Sequence, residues 1–104
     1  MFRVFRSDWY EKKLDKLSTQ EQERVNQFEQ DLKQNPFQGK PLGYAFFREK
    51  KFNGKRMYFL VYESHKVVFI ITISEKKAQQ QVIDAIKANL DAYKEQMEKL
   101  LRNV

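Results

Sequence analysis

The sequence predicts a single α+β domain. In it, a short N-terminal strand and a two-helix hairpin precede a three-stranded antiparallel meander and a long C-terminal helix. Three patterns carry that reading. Apolar residues recur at helical spacing on either side of Ser18, and an Asn-Gly pair at positions 53 and 54 separates two alternating runs. A seam with spacings of 4, 3, 4, 3 and 4 runs through Ile86, Leu90, Tyr93, Met97, Leu100 and Val104. A chain of 104 residues fits one domain over its whole length. A domain of that size buries roughly two thirds of its unfolded surface and needs no disulfide or metal staple.

Residues 1–34 hold the first strand and the helical hairpin. FRVF, Phe2 to Phe5, alternates and reads as the strand. Asp8 with Glu11 has capping-box spacing, and Tyr10, Leu14 and Leu17 then share one face of the first helix. Ser18 with Glu21 repeats the start signal. Val25, Phe28 and Leu32 stripe the second helix, which has to stop before Asn35-Pro36 because proline disfavours a helical residue before it. Residues 35–43, NPFQGKPLG, contain both prolines and two of the three glycines and form a loop.

Residues 44–73 form the basic antiparallel sheet. Asn53-Gly54 is a preferred pair for a type I′ turn, in which both positions need positive φ. Such a turn sets Phe52 opposite Lys55, Lys50 opposite Met57, Arg48 opposite Phe59 and Phe46 opposite Val61 on one face. The other face receives Lys51 with Arg56, Glu49 with Tyr58, and Phe47 with Leu60. Ser64-His65 turns the chain again. Val68, Ile70 and Thr72 are then expected beside the first face, and Val67, Phe69, Ile71 and Ile73 beside the second. The last strand, KVVFIITI, is apolar on both sides, so layers must cover both faces of the sheet.

Residues 74–104 read as the C-terminal helix, with Ser74 as its cap. A helix of about 28 residues would be about 42 Å long and would overhang so small a domain. Its end, Met97 to Val104, is expected either to fold back or to pair with a second copy.

The charge is unevenly placed. Residues 1–34 carry seven basic and seven acidic side chains, and residues 78–104 carry four of each. The whole net charge of +6 lies between Asn35 and Lys77, where nine basic residues meet three acidic ones. A surplus confined to one segment is the footprint of a phosphate binder. Cations interleaved with Tyr and Phe suit a nucleic acid, whose phosphates find charge and whose unstacked bases find ring faces.

Other chemistries find little support. The chain has no cysteine, hence no disulfide and no thiolate nucleophile, and one histidine cannot build a His-rich metal site. Its three glycines make turns, not a phosphate loop. The helical carboxylates alternate with Lys and Arg, as solvated ion pairs do. No apolar run approaches the roughly 18 residues of a membrane helix, and no signal segment opens the chain. A soluble, cytoplasmic protein without membrane contact is expected.

KPLG (Lys40 to Gly43), YFLVY (Tyr58 to Tyr62) and KVVFIITIS ending in Glu75-Lys76-Lys77 complete the picture. With this element order, the chain resembles the RelE/ParE toxin superfamily over roughly residues 9–88, including the members whose last helix is extended. The resemblance implies the toxin of a toxin–antitoxin pair: a ribosome-dependent mRNA endoribonuclease, or mRNA interferase. It works without metal or cofactor and is neutralised by an antitoxin through an acidic or apolar segment. Alternatives on the same fold are a non-catalytic RNA- or protein-binding module and a ParE-like gyrase inhibitor. Carried over by position, Arg48, Lys50, Lys76 and Lys77 are the catalytic candidates. Lys51, Lys55, Arg56 and Tyr58 are the nucleic-acid-binding ones. Two departures stand out: Phe59 occupies the usual arginine position of the strand motif, and Val82 or Ile83 that of a Tyr or His near the chain end.

Overall fold

The computed structural model describes residues 1–103. Five strands form one mixed sheet in the order β1-β5-β4-β3-β2. They are β1 (Arg3–Arg6), β2 (Lys40–Pro41), β3 (Phe47–Phe52), β4 (Lys55–Tyr62) and β5 (Val67–Glu75). β1 runs parallel to β5, and the remaining pairs are antiparallel. Helices α1 (Asp8–Leu14) and α2 (Thr19–Gln34) cover one face, and α3 (Gln79–Lys87) with α4 (Leu90–Arg102) covers the other. The expected α+β architecture holds, with β2 added inside the stretch expected to be loop.

The two cores follow strand alternation. Toward α1 and α2 the sheet presents Phe52, Met57, Phe59, Val61, Val68, Ile70 and Ile73, which bury Tyr10, Val25, Phe28 and Leu32. Toward α3 and α4 it presents Phe47, Tyr58, Leu60, Val67, Phe69 and Ile71, against Val82, Ile83, Ile86 and Met97. Tyr10 is fully buried, and its hydroxyl donates to Glu29 Oε2 at 2.5 Å while Arg6 pairs with Glu29 Oε1 at 3.0 Å. That network ties β1, α1 and α2 together.

Four local expectations are corrected. Ser7, not Asp8, caps α1: its side chain accepts from the Tyr10 N–H and donates to the Ile71 carbonyl. The second box is as expected, with Ser18 and Glu21 bonding reciprocally at 3.1 and 3.2 Å. β5 carries an extra residue, since Tyr58 opposes Thr72 and Phe59 opposes Ile70. This bulge moves Ile73 onto the α1–α2 face and leaves Thr72 level with Tyr58 on the other. Ser74 is the third correction. It remains in β5, a 3₁₀ turn at Lys76–Ala78 follows, and α3 begins without a side-chain cap.

The long helix is the fourth. It breaks at Ala88–Asn89, where Asn89 leaves helical geometry and its side-chain amide bonds the Ala85 carbonyl at 2.8 Å. An unbroken helix would leave its apolar seam in water beyond a body measuring 33 × 27 × 23 Å. The break turns α4 back onto the sheet, burying Met97 and setting Tyr93 edge-on to Phe69 at 6.3 Å. Met97 is therefore not available for pairing with a second copy. Of the remaining seam, Leu100 is exposed and Val104 lies outside the described residues.

Met97→Ala should destabilise the fold by about 2–5 kcal/mol, read from the denaturant midpoint; an unchanged midpoint would mean that α4 is not docked. A second expectation concerns alkaline pH. Burial, reinforced at Tyr10 by the bond to Glu29, pushes the Tyr10 and Tyr62 phenols well above their ordinary value. Above pH of about 10 the unfolded chain loses phenolic protons that the folded chain keeps. Stability therefore holds below that pH and falls above it, by up to about 1.4 kcal/mol per pH unit for each such tyrosine. Phenolate absorbance from these two residues should appear only with unfolding. Gradual ionisation in the folded protein near the ordinary value would contradict their burial.

Candidate nucleic-acid interface

The basic hairpin forms as its turn dictates. Asn53 and Gly54 both take positive φ, at 48° and 72°, and every cross-strand pair expected from the turn is present. The consequence is a division of the cations between the two faces, so they do not form one cradle.

On the α2 side, Arg48, Lys50 and Lys55 are all engaged. Arg48 donates from Nε to the Gln38 carbonyl at 3.0 Å, from Nη1 to Ala45 at 2.9 Å and from Nη2 to Gly39 at 3.2 Å. Its guanidinium also lies 5.8 Å from the centre of the Phe37 ring. Arg48 thus latches the loop between α2 and β3. Lys50 donates to Gln38 Oε1 and sits 4.7 Å above the Phe28 ring. Lys55 pairs with Glu21 at 2.7 Å, joining the hairpin to the start of α2 and holding the Glu21 carboxyl below its ordinary range. These three side chains bind the protein to itself.

The opposite face differs. Arg56 is buried, with 6% of its surface exposed. Nη1 donates to the Gly54 carbonyl at 3.3 Å, and Nε has no partner. Among the described residues no carboxylate lies within 4 Å of it. Tyr58 is fully buried beside it, and its hydroxyl shares a hydrogen bond of 2.8 Å with Ser74 Oγ. Burial raises the Tyr58 pKa, the Ser74 bond opposes that rise, and the Glu49 charge adds to it. Lys51, directly across from Arg56, is exposed, as are Lys76 and Lys77 on the turn leaving β5. Arg56 pairs with Ser74 across β4 and β5, so that turn starts from the same end of the same face.

Glu49 completes the group and is not among the candidates that the sequence points to. It is 1% exposed, opposes Tyr58, and accepts from Gln79 Nε2 at 2.8 and 3.1 Å. The available signal was its position as the one acid among the hairpin's cations, on the strand face that carries Arg56 and Tyr58. A buried carboxylate and a buried guanidinium without an ion pair within 4 Å among the described residues therefore share the turn end of the α3 face, with Lys51 exposed on it and Lys76 and Lys77 exposed on the turn leaving β5. Guanidinium and ammonium groups can bind a phosphate and a carboxylate can accept a proton, here only where the buried pair is opened to a ligand.

A three-layer α+β protein with a mixed sheet and a cation-rimmed hairpin end is the class these features define. No family model and no curated protein matches the chain. Solved structures do. The free E. coli toxin RelE, as a double arginine mutant, superposes with a TM-score of 0.71 at 19% identity, over 84% of this chain and 96% of that one. The RelBE2 toxin–antitoxin complex of Mycobacterium tuberculosis gives 0.64 at 23% identity, over 72% and 91%. The RelB–RelE antitoxin–toxin complex of Methanococcus jannaschii gives 0.60 at 13% identity, over 76% and 98%. The chain has the fold of the RelE toxins.

A buried cation held by one long main-chain bond and no ion pair among the described residues carries a desolvation penalty, so replacing Arg56 by an apolar side chain should not weaken the fold. Arg56→Leu is expected to leave stability unchanged or raise it by about 1 kcal/mol. Arg48→Leu removes three bonds to main-chain carbonyls and should cost about 1–2 kcal/mol. Denaturant midpoints that rank the two variants the other way would reverse the roles given to these arginines.

Proposed function

We propose that the chain is the toxin of a toxin–antitoxin pair, a RelE-type endoribonuclease acting on messenger RNA at the ribosome in the cytoplasm. The observation that supports this most is Arg56. A guanidinium held out of water with an unused donor is kept at a cost in stability, and it stands where exposed lysines gather. The RelE fold supports the same reading, and the solved complexes with antitoxins support an antitoxin partner.

In this reading the RNA 2′-oxygen attacks the adjacent phosphorus and gives its proton to the Glu49 carboxylate once Gln79 releases it. Arg56, Lys76 and Lys77 meet the charge on the non-bridging oxygens of the phosphorane. The bond from phosphorus to the 5′-oxygen breaks, and Lys51 supplies the proton that oxygen takes up. The products are a 2′,3′-cyclic phosphate and a 5′-hydroxyl, with no metal or cofactor in the balance. Arg48, Lys50 and Lys55 hold the hairpin in place, and Tyr58 sets the depth of the group through Ser74.

One observation favours a second reading, an RNA-binding module without cleavage. Val82 and Ile83, where a proton carrier would stand in the ribonucleases this chain resembles, are both buried in the apolar core.

Induced expression with RNA end mapping separates the two. Wild-type protein should arrest growth and truncate messages within ribosome-covered codons, and Glu49→Gln should reduce cleavage by about a hundredfold or more. Arg56→Leu should relieve the arrest while the protein remains folded. RNA that is bound but never cut would establish the second reading. Full cleavage by both variants would remove this site from consideration.

A further inference from the structure

The loop that Arg48 latches carries three of the large apolar side chains left exposed among the described residues: Phe37, Tyr44 and Phe46. Tyr44 and Phe46 stack on each other, with ring centres 4.8 Å apart and planes 25° from parallel. They are not required as packing, because Leu42 and Phe47 anchor the loop in the core. Nor are they loosely held. Leu42 N–H bonds the Phe47 carbonyl at 2.8 Å, Phe47 N–H bonds Tyr44 at 3.2 Å, and Arg48 grips Ala45. The pair is a small rigid aromatic surface facing solvent, set in place before any ligand arrives.

Its surroundings are cationic. Lys87 of α3 reaches over Tyr44, with Nζ 6.0 Å from the ring centre, and lies against the loop at Gly43. Lys40 is exposed on the same loop. Among the described residues neither lysine has a carboxylate within 4 Å. Stacked rings with unpaired ammonium groups beside them complement a nucleobase and its phosphate. A protein partner matched to this patch would have to bring acids as well as apolar groups.

We propose that Tyr44 and Phe46 are a stacking platform for an unpaired base of single-stranded RNA, with Lys87 meeting the adjoining phosphate. The inference rests on the reading that this protein binds RNA, and it adds a second contact site. The platform lies at the opposite end of β3 from Lys51. Six residues at about 3.3 Å each place it roughly 20 Å from the Arg56 group, within reach of one strand of RNA. A base held there would set which part of the strand reaches Arg56.

The test is titration of the full chain with a 2′-O-methyl oligoribonucleotide, which cannot undergo 2′-attack, carrying one 2-aminopurine. Wild-type protein should bind it and quench the fluorescent base by stacking. Tyr44→Leu with Phe46→Leu keeps apolar volume but removes the rings. It should weaken binding at least about fivefold and abolish the quench. Lys87→Ala should lower the slope of log affinity against log salt by about 0.7, the value for one phosphate contact on a single strand. Denaturant midpoints of the variants establish that they are folded. The same double change to alanine gives a second measurement if the leucine pair perturbs the loop. Undiminished binding and quenching in the ring-free variants, with binding lost in Lys51→Ala/Arg56→Leu, would overturn the platform and leave the RNA reading standing. That result would also be the signature of a patch reserved for a protein. Absence of binding by the wild-type chain would remove both.

Discussion

Side chains alternate across a β-strand, so the Asn53–Gly54 turn decides which helical layer each cation of the hairpin meets. That constraint governs the rest of the structure. Five basic residues between Phe47 and Tyr62 could look like one charged patch, yet the register sends Arg48, Lys50 and Lys55 toward α2 and Lys51 and Arg56 toward α3. The first set finds carbonyls, a glutamine, an aromatic ring and a carboxylate. The second finds an orphaned donor and open solvent. One turn thus separates the cations that hold the scaffold from those left able to hold something else.

The two sets depend on each other. Arg48 closes the loop over β3, which lets Gly39 approach the Glu49 carbonyl so closely that a Cβ would lie 2.2 Å from that oxygen. Only glycine fits there, because its φ is +80° as well. The backbone of Glu49 is therefore fixed by the scaffold on one side while its carboxylate is clasped by Gln79 on the other. The same loop carries the stacked Tyr44–Phe46 pair, so Arg48 also orders the chain at the start of β3.

How far the sequence could be read depended on how strongly each feature was specified. The hairpin pairing was legible down to Phe46 opposite Val61, because an Asn-Gly turn leaves one register. The Ser18–Glu21 box and the stop before Asn35-Pro36 were legible for similar reasons. The bulge in β5 was not. FIITI is apolar at nearly every position, so slipping by one residue exposes nothing and the pattern cannot report it. Ser7 and Asp8 are both good caps, and the choice between them lies in the distant Ile71 carbonyl. The break at Asn89 hides inside an unbroken 3–4 seam and comes from the size of the body that α4 must cover. At the site, the existence of a basic hairpin was legible. The tying down of Arg48 and the burial of Glu49 were not, since both arise from contacts with the 35–46 loop and with α3.

In the proposed function the buried guanidinium on the α3 face, and not the latched one on the α2 face, receives the phosphate of the ligand. Side-chain Nε–Hε resonances of the two arginines report this directly during titration with an uncleavable single-stranded RNA. The Arg56 signal should shift and gain protection from exchange as its free donor is taken up, while the Arg48 signal stays in place. A moving Arg48 beside an unaffected Arg56 would contradict it.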